Sequence, residues 1–154
     1  MRTRVQDKRQ TSYGVYKKAL ILAIAGGMAF WAATFAISLT PIAAEYRAAE
    51  SISNIQTVWV GGLLVGLIIG FFVSYFLLRF FDKIPTKNPI LKSVILSLIA
   101  LIIATILLEV PSHFLTPNSD PMRYFLIGAL FNVLRILALG IVICYLYKRL
   151  DGSA

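Results

Sequence analysis

The chain has 154 residues, 58% of them hydrophobic and 14% charged, with a net charge of +8. Soluble domains sit near ~45–50% apolar and ~25% charged, and here the apolar residues form long runs with the charge at their flanks, so a water-soluble domain is excluded. The single cysteine, Cys144, excludes an intrachain disulfide and a CxxC redox pair.

Residues 1–18 form a basic leader carrying Arg2, Arg4, Lys8, Arg9, Lys17 and Lys18. The leader is polar and lacks apolar periodicity, which predicts a mobile cytoplasmic segment until it meets the membrane. It lacks an MG start and the tail lacks a CaaX box, so no lipid anchor is expected. The first apolar run, residues 19–44, holds 26 uncharged positions. At ~1.5 Å per residue it reaches about 39 Å, beyond the ~30 Å hydrocarbon core. It far exceeds the ~7–15 residue apolar region of a cleaved signal peptide and reads as a retained anchor. Pro41 has no N–H and its ring clashes with the preceding turn, so the helix is expected to kink or end near residues 37–39.

A second helix is predicted over about 57–80, around the uncharged run 58–78. Gly62, Gly66, Gly70 and Ser74 recur every fourth residue along it, a small-residue face on which another helix can pack closely. Ala19, Ala23 and Gly27 have the same spacing and make the first helix its natural mate; a second copy of the chain is the other candidate. The third helix, about 90–110, is shorter. Its uncharged run 93–108 reaches only about 24 Å, which requires Lys92 and Glu109 to snorkel outward, and it is expected to end before Pro111. Ser93, Ser97, Ala100 and Ala104 line its small face. The fourth helix, about 123–147, contains Asn132 and Arg135, and residues 148–154 form a cytoplasmic tail.

The runs show no apolar and polar alternation, and open strands leave backbone groups unsatisfied in lipid. The fold class is therefore all-α: an integral membrane bundle of four transmembrane helices in one domain, residues 19–147. A shift of 70 positions pairs Pro41 with Pro111, Gly70 with Gly140, Tyr75 with Tyr145 and Arg79 with Arg149, the pattern of a weak tandem repeat of helical hairpins.

Charge sets the orientation. Twelve of the fifteen basic residues fall in the leader, in residues 79–92 and in the tail, whereas the opposite side holds Arg47 and Arg123. The positive-inside rule then places both termini in the cytoplasm, in the plasma membrane. The net charge is topogenic, with attraction to anionic lipid head groups as a second effect, and it calls for no nucleic-acid partner.

Arg135 lies near the bilayer midplane, where a charge costs at least ~2.5–3.5 kcal/mol. Helical spacing puts Gly128, Asn132 and Arg135 on one face, which must point into the bundle. Side chains tilt toward their own helix N-terminus, so Glu109 and Arg135 lean toward each other, with Thr34 and Ser97 as further polar partners. The candidate intramembrane polar network is thus Arg135, Asn132, Glu109, Thr34 and Ser97. His113 is the only histidine and has no spaced companions for a metal, and no nucleophile, phosphate-loop or dinucleotide motif occurs, so neither cofactor nor catalytic set is expected. These features predict a non-enzymatic protein working by helix packing, as an accessory subunit or a homo-oligomer. The alternative is a small transporter or channel with a polar cavity around Arg135, Asn132 and Glu109.

Overall fold

A computed structural model describes residues 2–80, 83, 88–115 and 120–151. The chain runs through α1 (Arg2–Ser38), α2 (Pro41–Ala49), α3 (Ile55–Arg79), α4 (Pro89–Ala104), a π-helical turn (Thr105–Glu109), α5 (Val110–Phe114) and α6 (Pro121–Asp151), with no strand among the described residues. Four stretches are long and apolar enough to cross a membrane: Tyr13–Ser38, Ile55–Arg79, Ile90–Leu107 and Pro121–Leu150.

The leader is not irregular. Helix α1 starts at Arg2 and continues unbroken into the apolar run. No proline lies between them, so a helix already nucleated extends through the leader in spite of Gly14.

The first apolar run ends as a helix at Ser38, short of residue 44. Thr40 then caps a new helix: its hydroxyl accepts from the Ala43 N–H at 3.3 Å, and Pro41 occupies the first turn, where its missing N–H is harmless. Helix α2 closes with the Ile52 N–H on the Arg47 carbonyl at 2.9 Å and Ser51 in the left-handed region at φ 56, which turns the chain back toward the bundle. Between the two expected spans, residues 45–49 and 55–57 are therefore helical as well.

Pro111 does not end the helical path of the third segment. A π turn precedes it, with the Val110 N–H donating to the Thr105 carbonyl, and helix resumes through Phe114. The wider turn relieves the clash between the proline ring and the preceding carbonyls. Lys92 differs too: placed in the first turn of α4 on the side of Ser93, it is 3% exposed and lies against the bundle, not snorkelled outward.

Helices α1 and α3 pack antiparallel and form the closest pair. A Cβ added at Gly70 would meet the Ala23 carbonyl at 2.8 Å, and one at Gly66 would meet the Gly27 carbonyl at 3.0 Å, so the two backbones touch where side chains are absent. Ser74, buried, continues the same face. The small-residue stripe is thus occupied by α1 of the same chain. Helix α6 packs on the other flank of α1, with Ile143 over Gly26, and a core of Leu22, Phe30, Val73, Leu77, Ile136 and Leu139 fills the space between the three. Helix α4 lies against α6, where the Ser93 hydroxyl donates to the Gly140 carbonyl at 3.2 Å. Its other side exposes Leu98 and Ile102, continued by Ile106 of the π turn, an apolar surface suited to lipid.

Candidate functional site: a cavity with two arginines

A cavity of about 260 Å³ sits at the α2 end of the bundle. Helix α1 contributes Thr34 and Ser38, α3 contributes Gly61 and Gly62, α6 contributes Asn132 and Arg135, and α2 covers it with Tyr46 and Arg47. Phe30, Ile37, Val65 and Phe131 supply apolar wall.

The break at Pro41 builds half of this site. A helix leaves its last four carbonyls without intrahelical donors, and at the end of α1 the Ser38 carbonyl accepts from Arg47 Nη1 at 2.8 Å. The Ser38 hydroxyl donates to the Phe35 carbonyl at 2.7 Å and accepts from Trp59 Nε1 at 2.9 Å, which ties the end of α1 to the start of α3. Tyr46 packs edge-on against Phe131, with ring centroids 5.7 Å apart, and Glu45 pairs with Arg123 at 2.7 Å, so α2 is also held to α6. The ion pair is solvent-exposed on both sides and contributes at most ~1 kcal/mol; the aromatic contact is the firmer tie.

Arg135 forms the other half. Its Nη1 donates to Asn132 Oδ1 at 3.2 Å, and its guanidinium lies 5.9 Å from the Phe131 ring centroid. Both neighbours lie toward the N-terminus of α6, so the side chain leans as helical tilt requires, toward the α2 end. Asn132 is buried, and Arg135 is half-buried. Thr34, 1% exposed, donates its hydroxyl to the Phe30 carbonyl at 2.9 Å. A Cβ at Gly62 would lie 2.7 Å from Thr34 Cγ2, so the glycine admits Thr34 to the wall.

Three of the five residues expected to share a polar network, Arg135, Asn132 and Thr34, thus line one cavity. Ser97 does not join them. It faces Gly140, five residues and about 140° around α6 from Arg135, because α4 packs on the flank of α6 away from α1. The side chains of Glu109 and His113 lie outside the described residues. Arg47, Tyr46 and Ser38 belong to the site although they read as loop or helix end; the available signal was Pro41, which leaves carbonyls open for a nearby donor. The described lining carries two guanidinium groups and no carboxylate. Among the described residues no group of three His, Cys, Asp or Glu side chains could hold a metal ion. The chain matches no family model, no curated protein and no solved structure.

Proposed function

We propose that the chain is a small multipass protein of the plasma membrane, with both termini cytoplasmic, which holds a polar solute or head group in the cavity between α1, α2, α3 and α6. It acts as a binding or transport component and not as an enzyme. The observation that carries this reading is the convergence of Arg135, Asn132, Thr34 and Arg47 on one cavity in a bundle whose outer surface is apolar. Intramembrane charge is costly and marks ligand or ion sites by default. The orientation rests on the twelve basic residues at the end that carries the termini, which makes the cavity outward-facing. A role by assembly with a second copy has less support, because the glycine face that favoured it is engaged by α1.

Thiol labelling tests the reading. In a Cys144→Ala background, a membrane-impermeant maleimide added to intact cells is expected to label Asn132→Cys, more slowly than Ser53→Cys in the exposed connection between α2 and α3. No labelling of Asn132→Cys while Ser53→Cys reacts would remove the outward-facing cavity. Reaction of Ser53→Cys only after permeabilisation would invert the topology.

A further inference from the structure

We propose that the cavity is a phosphate site, with Arg47 and Arg135 as its two cationic ligands; this rests on the outward-facing cavity of the preceding subsection. The two guanidiniums reach it from elements 88 positions apart in sequence, α2 and α6, and each is set in place by a neighbour: Arg47 by the Ser38 carbonyl, Arg135 by Asn132 and the Phe131 ring. Guanidinium groups from two helices that line one partly dehydrated space give an anion two charge-assisted partners.

The chemistry of the lining selects the anion. A guanidinium carries five N–H donors in a planar fork, so the bond that anchors Arg47 to the Ser38 carbonyl is compatible with a second acceptor. Two forks approaching from different helices match the several oxygens of a tetrahedral phosphate better than the two of a carboxylate. Asn132 and Tyr46 add neutral hydrogen-bonding groups at the same wall. Size limits the rest. About 260 Å³ lies just below the range for drug-sized ligands, which admits a phosphate with a glycerol-sized substituent and excludes a nucleotide. Apolar wall from Phe30, Ile37 and Val65 suits the carbon of such a substituent. The same phosphate chemistry is offered by a phospholipid head group of the outer leaflet or by inorganic phosphate from solution.

The full chain, purified in mild detergent, decides between these sources and tests the site. Native mass spectrometry with phosphatidylglycerol, and with diacylglycerol as the phosphate-free control, reads the lipid arm. Calorimetry with inorganic phosphate against chloride reads the soluble arm. One phosphate-bearing molecule per chain is expected in at least one arm. Arg47→Gln and Arg135→Gln should each weaken it by about ten- to a hundredfold, the range for a lost charge-assisted hydrogen bond. Gly61→Val provides a variant that leaves the ligands intact: a Cβ there meets no atom within 4 Å and Gly61 lines the cavity, so the fold is kept while the space is filled and binding falls. Retention of phosphatidylglycerol alone assigns the site to lipid, and of inorganic phosphate alone to a solute. Binding in neither arm, or binding that all three variants leave unchanged, overturns the proposal. If that happens while Asn132→Cys is labelled from outside, the cavity stands and only its ligand class falls; if Asn132→Cys is also silent, both fall.

Discussion

Gly70→Val is expected to destabilise the protein by about 3 kcal/mol, at the upper end of the usual cost of overpacking. The first atom a side chain would meet there is the Ala23 carbonyl oxygen, 2.8 Å from the Cβ position, and the Gly27 nitrogen follows at 3.3 Å. Both belong to the backbone of α1 and cannot swing away, so α1 and α3 must separate along the face where they pack most closely. The comparison is Gly61→Val on the same helix, whose Cβ has open space and which should change stability by less than about 0.5 kcal/mol. Unfolding in an SDS titration followed by circular dichroism measures both. Equal losses for the two variants would show that valine in α3, and not the contact with α1, is what matters. In lipid the helices gain little from burying apolar surface in one another, so such close backbone contacts carry much of the association.

Arg135→Leu is expected to leave the protein folded, with its stability changed by no more than about 1 kcal/mol. A charge within a membrane span costs ~2.5–3.5 kcal/mol on insertion scales. The contact with the Phe131 ring returns ~0.5–2 kcal/mol and the bond to Asn132 about 1 kcal/mol, so these contacts offset much of that cost. The same substitution should weaken phosphate binding at least as much as Arg135→Gln does. SDS titration of the purified variant, alongside its yield in membranes, reads the outcome. Loss of folded protein on Arg135→Leu, with the yield restored by Arg135→Lys, would instead make the positive charge a structural element that holds α6 in place.

Much of the architecture was legible because a membrane imposes strong rules. Run length and hydropathy located the four spans, the four-residue spacing of Gly62, Gly66 and Gly70 located a packing face, and Pro41 located a helix end. Helical tilt also pointed Arg135 the right way. The remainder depended on which helices become neighbours. Periodicity assigns Ser97 to a small face and Arg135 to a polar one, but nothing in either segment reveals that α4 and α1 sit on different flanks of α6. Arg47 stands in a charged stretch beside Glu45 and Glu50 that resembles a solvated loop, and only the return of α2 over the end of α1 brings it to the cavity. Pro111 was read as a terminator because a proline within a helix removes a donor, whereas the π turn at Thr105–Glu109 absorbs the misfit locally. The prolines that a 70-residue shift pairs are therefore handled differently: Pro41 opens a new helix and Pro111 continues one.

The central claim is that the face of α6 bearing Asn132 and Arg135 meets water inside the protein, while the face bearing Leu130, Leu134 and Leu137 meets lipid. Nitroxide labels placed singly at these five positions, in protein reconstituted into bilayers, measure this directly through collision with a water-soluble nickel complex or with lipid-soluble oxygen. At positions 132 and 135 the nickel complex should relax the label more than oxygen does; at 130, 134 and 137 the order should reverse. Oxygen dominance at all five positions would place Arg135 against lipid and contradict the account.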